Sequence, residues 1–136
     1  MYIYMAGALT THHRNNEIHR ATIWRNSLSA WSHELKDMKT FNPAIAFLRE
    51  KNHSYAPEMC VSQNEFYLAK CDIMIVDLNE IDSSPGTIYE LVRFKDMRKP
   101  VVAFGVRHWS PHINSCISHQ CETLEEVKEL LCNMFI

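Results

Sequence analysis

The chain has 136 residues, enough for one domain and too few for two. Fourteen Lys and Arg against sixteen Asp and Glu leave a formal charge of -2, so no broad basic field exists to neutralise the phosphates of a nucleic acid. Residues of the AVILMFWYC set make up 46%, ordinary globular usage that supports a core without staples.

The longest apolar runs, Ile73–Val76 and Val101–Phe104, fall far short of the roughly 20 residues a membrane span needs. The opening MYIYMAGAL has neither the basic leader nor the small-residue cleavage site of a signal peptide. Cys60, Cys71, Cys116, Cys121 and Cys132 are odd in number and contain no CxxC, which favours reduced thiols over a disulfide framework or zinc site. These features predict a single soluble, cytoplasmic domain over residues 1–136 with neither nucleic acid nor membrane as partner.

In chain order, Tyr2–Ala6 is a short apolar run ending at Gly7, which predicts a buried first strand and a tight turn. From Asn15 to about Lys36, Ile18, Ala21, Trp24, Leu28, Trp31 and Leu35 recur at steps of three and four, one face of a long helix. Thr40–Asn42 is a weak strand candidate before Pro43, and residues 44–55 mix helical spacing with charge until Pro57 breaks it. Ser62 is a candidate cap for a helix to about Lys70, followed by a central strand over Asp72–Asp77. Turn formers at Asp82–Gly86 precede a helix over Thr87–Arg98, a strand over Val101–Phe104, and a closing helix over Leu124–Leu131. Strands alternating with helices predict a parallel sheet covered on both faces.

In such sheets ligands bind beyond the carboxyl ends of the strands. Three loops therefore qualify: Gly7–Asn15, Leu78–Thr87 and Gly105–Asn114. The second is the most informative. Ser83 to Thr87 lead into a helix whose early amides favour anions, and Glu90 follows, a carboxylate able to attack an electrophilic sugar carbon. Thr87-x-x-Glu90 is equally a capping box, Tyr4 an ordinary strand tyrosine, and Ser84 a turn former. In the first loop, Thr10 and Arg14 are suited to clamp a phosphate or sugar hydroxyls; His12 and His13, adjacent and without a carboxylate or cysteine at ligand spacing, do not make a metal site. Asp77 either faces a sugar or caps the following turn, and His108 to His112 offer an aromatic and hydroxyls to a base.

Tyr4 to Gly7, Cys71 to Asp77, Ser84 to Leu91 and Arg98 to Gly105 together resemble the nucleoside 2-deoxyribosyltransferase family, including the related nucleoside 5'-monophosphate N-glycosidases. The resemblance implies a flavodoxin-like, Rossmann-like α/β three-layer sandwich with a parallel sheet of about five strands. It also implies cleavage or exchange of the N-glycosidic bond of a small-molecule nucleoside or nucleotide, without cofactor or metal, in a homodimer or higher homo-oligomer. Glu90 matches the family nucleophile and Tyr4 the tyrosine that tunes it; Gly7, Thr10, Arg14, Asp77, Ser84, Gly86 and Thr87 are the substrate-binding candidates. Two departures stand out. Asn64 occupies the position of a family aspartate near the leaving base, and an amide orients a base but does not protonate it, with Glu65 one residue on. Ser84 replaces a transferase aspartate, as in the monophosphate hydrolases, where the serine meets the phosphate. Transferase, hydrolase and a non-catalytic nucleotide-binding module all remain open; a redox flavodoxin-like role has only the sheet architecture behind it.

Overall fold

The computed structural model describes residues 1–45, 47–48 and 57–135. Five strands, β1 (Tyr2–Ala6), β2 (Lys39–Phe41), β3 (Ile73–Asp77), β4 (Val101–Phe104) and β5 (His119–Cys121), form one parallel sheet in the order β2-β1-β3-β4-β5. This is the flavodoxin-like arrangement, with its switch point between β1 and β3. Among the described residues the helices include α1 (Thr10–Arg14), α2 (His19–His33), α3 (Pro57–Lys70), α4 (Pro85–Asp96), α5 (Pro111–Asn114) and α6 (Leu124–Phe135), and Ile81–Ser83 forms a 3-10 turn.

Side-chain alternation along the strands sorts the core into two layers. Tyr4, Ala6, Met74 and Val76 face Leu68 of α3 and Leu91 and Phe94 of α4. Ile3, Met5, Ile73 and Ile75 face Trp24 and Leu28 of α2 and Val127 and Leu131 of α6. Both faces of the central strands are therefore dry, as their unbroken apolar runs require. Lys99 fastens the end of α3 to the start of β3, donating from Nζ to the carbonyls of Ala69 at 2.7 Å and Cys71 at 2.8 Å. Cys71, Cys116, Cys121 and Cys132 are free thiols. Among the described residues no helix is long and apolar enough to cross a membrane.

Several boundaries differ from the sequence-based expectation. The long helix starts at His19 rather than Asn15, because Asn16 takes a left-handed φ of 55° and separates α1 from α2. Pro57 is the first residue of α3, so Ser62 lies inside that helix and is not its cap. Pro85 and Pro111 sit likewise in the first turns of α4 and α5. The helical spacing read over 44–55 falls mostly outside the described residues. Three elements were not expected at all: α1, inside the first loop, α5, inside the third, and β5, three residues long.

Candidate active site

Glu90 is the sixth residue of α4, one turn deeper than a cap position, and its Oε2 is buried without a hydrogen bond. The capping-box alternative is thereby removed: Thr87 is itself inside the helix, and its hydroxyl meets that of Ser84 at 2.7 Å rather than an early amide. Glu90 instead points at β1, where the ring of Tyr4 is fully buried against Phe41 (5.4 Å between centroids) and Phe94 (6.3 Å). Phe41 in turn stacks on Tyr67 of α3 at 4.1 Å. The tyrosine is thus clamped by aromatic contacts from β2 and α4, with Tyr67 of α3 backing Phe41.

The phenol and the carboxylate stand close enough to move each other's acidity, although Tyr4 Oη, like Glu90 Oε2, lies buried without a hydrogen bond of good geometry. Burial raises Glu90 to about 7; the Tyr4 hydroxyl and the Arg25 guanidinium pull it down, and Glu65 pushes it up. Burial likewise raises the Tyr4 phenol, with the Glu90 charge adding to it. A buried carboxyl poised between its two forms near neutrality is suited to nucleophilic or proton-transfer chemistry.

Tyr4 and Glu90 lie at the back of a cleft between α3 and α4, about 340 Å³ in volume counted out to its open mouth. Asn64, Glu65, Gly86 and Tyr89 complete its polar and open walls, with Val61 and Leu68 as the apolar ones. Asn64 Oδ1 is buried without a hydrogen bond, and its amide donates only to Cys60 Sγ at 3.9 Å. Glu65, one residue on, also lines the cleft but is tethered by Arg93 Nη2 at 3.7 Å, and its hydrogen bond raises the pKa of the Tyr89 phenol beside it. A Cβ on Gly86 would meet nothing within 4 Å, so the floor of the cleft is open above the first turn of α4. The amides of that turn have no partners within the helix.

The remaining candidates separate into two groups. Gly7 and Asp77 sit together at the carboxyl ends of β1 and β3: a Cβ on Gly7 would come within 3.3 Å of Arg25 Nη2 and 3.4 Å of Asp77 Cβ. Asp77 Oδ1 accepts from the Asn79 amide at 3.0 Å, which closes the turn after β3, while burial raises its carboxyl and the Arg25 and His12 side chains oppose that. Thr10 and Arg14 are exposed on α1 and are not among the residues lining the cleft. Their neighbours turn inward instead: Thr11 Oγ1 meets Ser83 Oγ at 2.9 Å, and His12 is buried with neither ring nitrogen hydrogen-bonded. In the third loop His108 Nε2 bonds Asp82 Oδ1, and Trp109, stacked on His108 and 80% exposed, lies open to solvent.

Arg25 was not anticipated from sequence. It occupies the stripe formed by Ala21, Trp24 and Leu28, an i, i+3, i+4, i+7 set in which a charged residue is out of place, and that misfit was the available signal.

No family model matches the sequence, and neither does any curated protein. Among solved structures, the chain is similar to a 2-deoxyribosyltransferase from Bacillus psychrosaccharolyticus, with a TM-score of 0.64 over 94% of this chain and 90% of that one. The likeness is one of fold. Sequence identity between the two is 17%.

Proposed function

We propose that the chain cleaves or exchanges the N-glycosidic bond of a nucleoside or nucleoside 5'-monophosphate. The observation that carries this reading is the buried Glu90 carboxylate facing the Tyr4 phenol at the back of an open cleft. The similar structure is described as a 2-deoxyribosyltransferase, which supports the same chemistry.

In this reading Glu90 attacks the anomeric carbon, the C–N bond breaks, and its electron pair leaves with the base. Forming a glycosyl ester divides one hard displacement into two easier ones and avoids a free oxocarbenium ion. Water or a second base then attacks the same carbon and returns Glu90 as a carboxylate. Tyr4 orients the carboxylate between the two steps. Asn64 holds the base edge and leaves its protonation to solvent, because an amide supplies no acidic proton. Gly86 and the first amides of α4 receive the sugar or its phosphate, with Ser84 and Thr87 exchanging their mutual hydrogen bond for one to that group. Gly7 and Asp77 border the site from β1 and β3, and Thr10 and Arg14 of α1 close on the phosphate. Exposed Met59, Phe66, Tyr89 and Val92 on α3 and α4 support a homodimer or higher homo-oligomer.

Asn64 favours a second reading, a nucleotide-binding module that holds its ligand without breaking it. Chromatography of free base after incubation with a panel of nucleosides and 5'-monophosphates, with and without an acceptor base, separates the two. Release that disappears in Glu90→Gln supports the enzyme, and dependence on the acceptor makes it a transferase. Ligand-induced thermal stabilisation with no base release from any substrate would replace it with the binding module.

A further inference from the structure

The wall that α3 turns to the cleft consists of Val61, Asn64, Glu65 and Leu68, an i, i+3, i+4, i+7 set that in a packed helix is one apolar stripe. Here an amide and a carboxylate interrupt it. Packing does not account for either: Asn64 Oδ1 is buried without a hydrogen bond, and the Glu65 side chain is 32% exposed at the cleft. Facing them on α4 are Gly86, Tyr89 and Glu90.

The hydrogen-bond donors of these walls are already committed. The Asn64 amide N–H turns to Cys60 Sγ at 3.9 Å, the Tyr89 phenol donates to Glu65, and the Tyr4 phenol faces Glu90. Arg93 Nη2 stands 3.7 Å from Glu65 Oε2, but Arg93 is not among the residues lining the cleft. What remains for a ligand is acceptors. One is the unpartnered Asn64 Oδ1, and the other is the Glu65 carboxylate, whose two oxygens can take about four hydrogen bonds.

Gly86, Glu90 and Arg93 follow one another along α4 at about one turn each, so Glu65, paired with Arg93, marks the end of the cleft away from the helix start. With the sugar or its phosphate at the first turn and the anomeric carbon at Glu90, the base falls at the Glu65 end. We propose that Asn64 and Glu65 form an acceptor-only edge that selects the base, so that the cleft takes nucleotides whose base carries an exocyclic amino group in preference to those with an oxo group in its place. This rests on the reading of Glu90 as the nucleophile. An amino group donates to these oxygens, whereas an oxo group turns its own lone pairs toward them and leaves both sides unpaired once water has gone.

The test reads binding rather than turnover. Calorimetric titration of Glu90→Gln with cytidine against uridine 5'-monophosphate, and with adenosine against inosine 5'-monophosphate, compares bases that exchange amino for oxo on the same ring. The amino member of each pair should bind about tenfold tighter or more. Adding Glu65→Gln, whose amide turns to meet either group, should bring each pair to within about threefold. Adding Arg93→Gln instead breaks the ion pair but keeps the carboxylate, and should leave the preference in place. Equal or reversed affinities within the pairs, a preference that survives Glu65→Gln, or one lost equally in Arg93→Gln overturns the proposal. Base release by the wild-type protein without discrimination would remove the selectivity and leave the N-glycosidic reading intact; discrimination without release would do the reverse. Absence of binding by all four nucleotides would overturn both.

Discussion

Replacing Glu90 by Gln should make the protein more stable at alkaline pH while abolishing base release. The folded-state carboxyl is raised from 4.5 to about 7, so between those values the native protein holds a proton that the unfolded chain has lost. The unfolded state then binds fewer protons, and stability falls as pH rises through that window. At about 1.4 kcal/mol per tenfold change in proton activity, the interval amounts to about 3 kcal/mol, absent below pH 4.5 and fully expressed above about pH 7.5. Gln is nearly isosteric and carries no charge, so it escapes this cost and still offers the Tyr4 hydroxyl an acceptor. The assay is urea unfolding of both proteins at pH 4.5 and pH 8. The raised Asp77 carboxyl is common to the two chains and cancels in their difference. Glu90→Gln should exceed wild type by about 3 kcal/mol more at pH 8 than at pH 4.5. A difference between the two proteins that stays constant across that range would show that Glu90 is solvated like any surface carboxylate, and the electrostatic account of the cleft would go with it.

Other consequences are equally direct. Tyr4→Phe removes a hydroxyl that makes no good hydrogen bond, so thermal stability should change by less than about 1 kcal/mol, while the acid limb of the pH-rate profile moves upward because the carboxylate loses a group that favours its anion. A profile identical to wild type's would contradict the pairing. Gly7→Ala places a methyl 3.3 Å from Arg25 Nη2 and 3.4 Å from Asp77 Cβ at a φ of +155°, and calorimetry should find it less stable by about 1–3 kcal/mol. Asn64→Asp supplies the missing proton donor beside the cleft; single-turnover release of base should accelerate, and no acceleration would mean that the base leaves unaided or that another residue serves it.

The central strands were legible because burial on both faces demands uninterrupted apolar runs, and Tyr2–Ala6 and Val101–Phe104 are bounded by Gly7, Pro100 and Gly105. His119–Cys121 was not: three residues at the sheet's edge, two of them polar, carry no β signal of their own, and the strand exists because the backbone of β4 offers a pairing edge. Thr10–Arg14 has no apolar period and reads as loop, yet its helix seats Thr11 and His12. Of the site, residues adjacent in sequence to strand ends or to the start of α4 could be found by position. Arg25 and Glu65 depend on which face of a helix meets which neighbour, and helical spacing gives that face only when a charged residue interrupting an apolar stripe is taken at its word.

β1 is first in the chain but lies inside the sheet, between β2 and a β3 that arrives some 70 residues later. Tyr4 and Glu90 therefore meet only across a long loop closure, and neither half of the chain contains the pair. Until β3 pairs with β1, the carboxylate of Glu90 stays in water and titrates like any other. Its raised pKa belongs to the closed sheet alone, which makes proton uptake near neutral pH a readout of that closure during folding.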